Sequence, residues 1–149
     1  MNPNKLKTSL FVCALLLVLS GCAVKLVSDY DETTDRAVSA LHRKTVGHLL
    51  GLATVANTSG CKYEKHKDFY EEVKTDVSAI EVRTAALANN ELETQQVQLL
   101  GSSLDSLEQL HQISCLTPDQ IKLLMTQFNV QFTSILRFEL ARRRGGLKP

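Results

Sequence analysis

Tyr70-Glu71-Glu72-Val73-Lys74-Thr75-Asp76-Val77-Ser78-Ala79-Ile80-Glu81-Val82-Arg83-Thr84-Ala85-Ala86-Leu87 decides the fold class. Tyr70, Val73, Val77, Ile80, Thr84 and Leu87 recur at intervals of three and four, which places them on one face of a helix. Glu71, Lys74, Glu81 and Arg83 fall on the opposite face. The pattern predicts an amphipathic helix over about 63–87, broken by Asn89-Asn90.

Two further helices follow toward the C-terminus. Asn90 with Glu93 three residues on is a helix-start signature, and Leu92, Leu99, Leu100, Leu104, Leu107, Leu110 and His111 mark the expected inner side, which stops near Ser114. Thr117-Pro118-Asp119-Gln120 combines a Thr cap, Pro at the first helical position and Gln at the third. Its expected inner face is Ile121, Met125, Phe128, Phe132 and Ile135, widened by Leu124, Leu136 and Phe138. Gly145-Gly146 is expected to end that helix, leaving 145–149 as a frayed tail.

Toward the N-terminus, Asp29 with Glu32 predicts a capping box, and Asp31, Glu32 and Asp35 suit the positive end of a helix dipole. Val38, Leu41, Thr45, His48, Leu52 and Val55 share the next face. Gly47 and Gly51 lie one turn apart, where a neighbouring helix is expected to approach closely. Asn57-Thr58-Ser59-Gly60 closes this helix. Four amphipathic helices with short connections predict an all-α, single up-down-up-down four-helix bundle over 29–144.

Composition agrees with that expectation. The chain has 149 residues, no Trp, 7 Gly and 3 Pro, without the closely spaced turn signals of an all-β domain. Residues 10–19 form an apolar run behind Lys5 and Lys7 and end in small residues. That reads as a secretory signal over 1–21; a bilayer span needs ~20 apolar residues. Removing it takes Lys5 and Lys7 away and turns a formal charge of +1 into −1. A near-neutral chain argues against nucleic acid as a partner.

Leu19-Ser20-Gly21-Cys22 resembles the lipobox of bacterial lipoproteins. The resemblance implies cleavage before Cys22, lipid on its thiol and a tether over 22–28. Of the remaining cysteines, Cys13 leaves with the signal. Cys61 and Cys115 are then an even pair in an exported domain, and a disulfide is expected. In an up-down bundle they sit in two loops at the same end, so the fold and the bond support each other.

The sharpest alternative uses the same loops. Cys61 with His66, and His111 with Cys115, supply two thiolates and two imidazoles, a donor set that suits tetrahedral zinc. His48 falls on an apolar stripe, where a hydrogen-bonded core histidine is expected and a haem ligand is the alternative. His42 is expected at the surface. Ser102 and Ser103 have no Gly-x-Ser-x-Gly elbow around them. Glu71-Glu72 and the Glu91/Glu93 pair read as solvated surface, so no enzyme and no cofactor are expected. Arg142, Arg143 and Arg144 complement the helix dipole. Topology also places them beside Cys22, as a basic patch facing the membrane.

Two groups of residues carry a wider resemblance. They are Lys25-Leu26-Val27-Ser28-Asp29-Tyr30-Asp31 with Thr34-Asp35, and Cys61 with His66-Lys67-Asp68-Phe69-Tyr70, Asn89-Asn90-Glu91 and Leu107-Glu108-Gln109-Leu110-His111. They resemble a family of small proteobacterial lipoproteins of no established function. Ala23 after the anchor implies the outer membrane by the lipoprotein sorting rule. In architecture the chain is also similar to secretin pilotins, helical outer-membrane lipoproteins with one disulfide that hold a client's amphipathic helix. The resulting expectation is a periplasm-facing, lipid-anchored bundle that contacts another envelope protein and carries out no chemistry.

Overall fold

The computed structural model describes residues 27–146; the signal, Cys22, most of the tether and residues 147–149 lie outside them. The described residues form four α-helices: α1 Glu32–Val55, α2 Lys67–Ala86, α3 Glu91–Ile113 and α4 Pro118–Gly146. Single 3-10 turns, Ser59–Cys61 and Tyr63–Lys65, lie between α1 and α2. α1 packs on α2 and α4, and α3 packs on the same two.

Cross-helix bonds give the directions. Asp31, at the start of α1, pairs with Arg83 near the end of α2, and its N–H donates to Glu139 near the end of α4. At the other end Cys61 is bonded to Cys115. The bundle therefore runs up, down, up, down. The entry of the chain lies at one end and the disulfide at the other.

The repeat of three and four works as expected in α2, where Tyr70, Val73, Val77, Ile80 and Thr84 are buried. They meet Val38, Leu41, Leu49 and Leu52 of α1, Val97, Leu100, Leu104 and Leu107 of α3, and Ile121, Phe128, Phe132 and Ile135 of α4. Each such side chain contributes about 1.5–3 kcal/mol on burial. α4 starts on the expected box: Gln120 N–H donates to Thr117 Oγ1 at 3.2 Å, and Thr117 N–H donates to Gln120 Oε1 at 2.8 Å.

Several boundaries differ from the sequence expectation. The α1 cap is Asp31, two residues after Asp29. Its carboxylate accepts from Thr33 N–H at 3.3 Å and Thr34 Oγ1 at 2.7 Å. Asp31 also takes both Arg83 contacts, at 2.5 and 2.7 Å, which hold its carboxyl well below the usual range. Asp31→Ala is expected to cost about 1–2 kcal/mol, from cap and pair together, read by urea denaturation at pH 7. With a depressed folded pKa, this contribution is present above pH ~4 and fades in acid.

α2 starts at Lys67 because the chain before it is tied down. Cys61 is bonded to Cys115, and His66 Nε2 donates to Gly60 O at 2.9 Å. In α3, Leu92 and Leu99 are exposed, and the inner stripe is Glu93, Val97, Leu100, Leu104, Leu107 and His111. Gly47 and Gly51 have nothing within 4 Å of an added Cβ, so no helix approaches them. The close approach is at Gly101, where a Cβ would stand 3.0 Å from Val77 Cγ1. The helix also continues through Gly145, because Glu139 and Arg142 hold its last turns against α3. Asn89, at φ 57°, makes the tight corner between α2 and α3, a conformation Asn tolerates better than most residues.

Candidate functional site

The disulfide end holds the residues weighed above for metal. Cys61 and Cys115 form the expected bond, with Cα atoms 5.4 Å apart. His111 Nε2 donates to Cys61 O at 2.6 Å, so its Nδ1 accepts from Tyr70 Oη at 2.7 Å. With His66 on Gly60 O, the thiolates and the imidazole N–H groups all have other partners, and the zinc arrangement is replaced by a stapled loop. Among the described residues, no group of three or more His, Cys, Asp or Glu could hold a metal ion.

His48 differs from expectation as well. Its ring stacks on Phe69 at 3.6 Å and 6°, with His66 and Tyr70 edge-on, and its Nε2 has no hydrogen-bond partner. Burial, then the neighbouring imidazoles, push its pKa down to about 3; burial pushes His111 down too. Both are therefore neutral aromatic packing at pH 7. His42 is half-buried, tilted on Phe132 and bonded to Asn129 Oδ1 at 2.8 Å. Ser102 and Ser103 donate back to Gln98 O and Leu99 O at 3.1 and 3.0 Å.

The opposite end contains a charged cluster. Arg142 is buried, and its Nη1 donates to Glu93 Oε2 at 2.5 Å and Glu139 Oε1 at 2.7 Å. Its Nη2 donates to Asn90 Oδ1, which also accepts from Ser28 Oγ at 2.9 Å. Asn90 Nδ2 donates to Thr84 O at 3.0 Å, so the amide closes the α2–α3 corner where a start-of-helix cap was expected. Arg142 is thus removed from the basic patch, and Glu93 from the solvated surface. Arg143 lies over the Tyr30 ring at 5.6 Å, and Arg144 is exposed. Sequence reasoning puts Glu93 on the solvated surface and gives Glu139 no role, although both fall in register with an apolar stripe. Glu93 leads Val97, Leu100 and Leu104, and Glu139 follows Phe128, Phe132 and Ile135.

The surface contrasts by seam. Ion pairs cross α1/α2 at Lys44–Asp76 and Lys44–Glu72, and Lys74 pairs with Glu108 across α2/α3. Apart from the buried Arg142–Glu93 pair at its end, α3/α4 is crossed by neutral groups: Gln131 Nε2 donates to Ser103 Oγ at 2.7 Å, and Gln96 Nε2 lies 3.4 Å from Ser134 Oγ. Exposed positions beside that seam include Leu92, Leu99, Ser106 and Ile113 on α3, and Leu123, Thr126, Gln127, Val130, Thr133 and Ser134 on α4. Arg137 is the charged residue that joins them on α4. Leu99, Leu123 and Val130 are 65–69% exposed and Ile113 is 81% exposed. A shallow groove of about 600 Å³ runs along α4 past Asn129 and Val130 to Arg137. Exposed apolar side chains among small polar ones, with few charges, are the composition of a contact surface.

No protein-family model, no curated protein and no solved structure matches the chain.

Proposed function

We propose that the chain is a lipid-anchored, periplasm-facing bundle of the bacterial outer membrane that binds another envelope protein through its α3/α4 face and carries out no chemistry of its own. The observation that carries this reading is the charge-poor face along α3 and α4, with Leu92, Leu99, Ile113, Leu123 and Val130 exposed, on a bundle whose α1/α2 and α2/α3 seams are crossed by surface ion pairs. Ordinary solvated helix faces carry charge, and depletion of charge is the compositional mark of an interface centre. No helix among the described residues is long and apolar enough to cross a membrane, so the attachment invoked here is the lipid on Cys22. Arg143 and Arg144 lie at the end where the tether enters, where exposed cations would add roughly 1 kcal/mol each at an anionic surface. A secretin-pilotin-like role would place a client's amphipathic helix on the same face.

Photo-crosslinking in cells tests the reading. A crosslinking residue at Leu99 or Val130 is expected to give a discrete adduct, and one at Ala40 or Glu72, exposed on α1 and α2, is not. Adducts of equal yield from all four positions, or from none, would overturn it. Cys22→Ser is expected to release the chain from membranes; unchanged fractionation would remove the anchor from the proposal.

A further inference from the structure

Glu93 and Glu139 are both 0% exposed at the side chain, and one cation, Arg142, stands between them. Two buried carboxylates against one guanidinium leave an uncompensated negative charge if both are ionised, which the interior penalises heavily. Arg83 does not supply the missing charge, because its guanidinium is held by Asp31. Arg143 is turned onto Tyr30. Asn90, the remaining polar group facing the cluster from the α2–α3 corner, is neutral.

The hydrogen bonds point the same way. Arg142 Nη1 takes Glu93 Oε2 and Glu139 Oε1, and Asp31 N–H takes Glu139 Oε2 at 3.1 Å. Glu93 Oε1 is left buried with no partner, and the Glu139 carboxyl lies within hydrogen-bonding reach of Glu93. A buried acceptor in that position needs a donor, and a proton on the carboxyl pair provides one.

We propose that Glu93 and Glu139 share one proton at neutral pH, and that this proton is a latch on the segment 28–31 by which the chain enters the bundle. The segment is also held by the Asp31 carboxylate on Arg83 and by the Tyr30 hydroxyl on Asp35, so the latch acts beside these ties. Ser28 N–H donates to Asn89 O at 3.2 Å, Ser28 Oγ donates to Asn90, and the Asp31 N–H bond ends on Glu139 itself. Removing the proton leaves a net charge in the cluster. The least costly relief is for the chain end to part from α4 and admit water. Burial, then the Glu93 carboxyl, push the Glu139 pKa up to about 7, against the opposing effects of the Asp31 N–H and Arg142. The sign follows: an acid whose folded pKa is raised favours the closed form fully below the ordinary carboxylate pKa of 4.5, and loses that preference progressively as pH rises from there to about 7. The lead-in to the bundle is therefore held in acid and loosened as the pH climbs to neutrality.

Hydrogen exchange of the full, oxidised chain tests this. Rates for residues 28–35 are compared between the wild type and Glu139→Gln at each pH from 5.5 to 8.5, so that base catalysis cancels. Glu139→Gln keeps the shape and holds the neutral state. The wild-type to variant ratio is expected to rise about ten-fold per pH unit from pH 5.5 to about pH 7 and to level off above it, by proton linkage. Glu93→Gln serves in the same comparison if Glu139→Gln folds poorly. Carbon-13 carboxyl shifts of the wild type should show one ionised and one protonated group in the pair at pH 6. A flat ratio across the range, or two ionised carboxylates at pH 6, would overturn the latch.

Discussion

Arg142→Ala is expected to lower stability by about 3–5 kcal/mol, the cost of leaving buried charges without their partner. In a domain of this size that is a fall of roughly 10–20 °C in the melting midpoint. The residue is buried, and it supplies contacts to Glu93, Glu139 and Asn90 while its guanidinium lies 4.1 Å over the Phe138 ring. Removal orphans both carboxyl groups and the negative charge they carry between them. The neighbouring Arg143→Ala and Arg144→Ala are expected to stay within about 0.5 kcal/mol, because both side chains are exposed. Combining Arg142→Ala with Glu93→Gln and Glu139→Gln should recover part of the loss, because the stranded charges are then gone. Urea and thermal denaturation of the set decide the matter. A loss under ~1 kcal/mol for Arg142→Ala, well below what a dry ion pair costs to break, would mean that the cluster is hydrated.

The second large effect is at the other end. Cys61→Ala and Cys115→Ala should each cost about 4 kcal/mol in the chain-entropy model for a loop of this length, given a sequence separation of 54. The double variant should cost about the same as either single one, because one bond is lost in each case. Additive losses would show that the two cysteines act separately. The bond spans the two loops that leave α1 and α3, and His111 holds the Cys61 carbonyl from α3. Reduction is therefore expected to free residues 56–66 before the helices separate, and protease cleavage confined to that loop would show it. His48 and His111 add an acid limit at this end. Their folded pKa values are depressed by burial, so stability is present above the ordinary imidazole range and falls as the pH drops below it.

Much of the fold was legible in the residues. The stripe from Tyr70 to Thr84 and the Thr117–Gln120 box specify their helices with local information alone, and the structure keeps both. The cysteine pairing followed from topology, since two loops at one end of a bundle bring Cys61 and Cys115 together. Where the reading failed, a polar residue on an inner stripe or an apolar residue on an outer one was sorted by type. Leu92 and Leu99 were placed inside because they are leucines, and Glu93 outside because it is a glutamate. Their burial is the reverse, because the stripe is set by what α2 and α4 present. Arg142 is buried only because Glu93 and Glu139 face it. The same logic explains Gly101. A glycine within a helix carries no sign of which neighbour approaches it, and the approach depends on Val77 of α2.

The residues by themselves determined the helix count, the order of helices along the chain, the cap at Thr117 and the chemistry available at Cys61 and Cys115. Those depend on periodicity and on interactions within a few positions of the chain. The tertiary structure alone decided that the start of α1 is fastened to the ends of α2 and α4, that Glu93, Glu139 and Arg142 form one buried cluster with the Asn90 amide, and that an apolar, charge-poor surface runs along α3 and α4. Each of these depends on which faces meet, a relation between residues 49 to 108 positions apart, which no local period records.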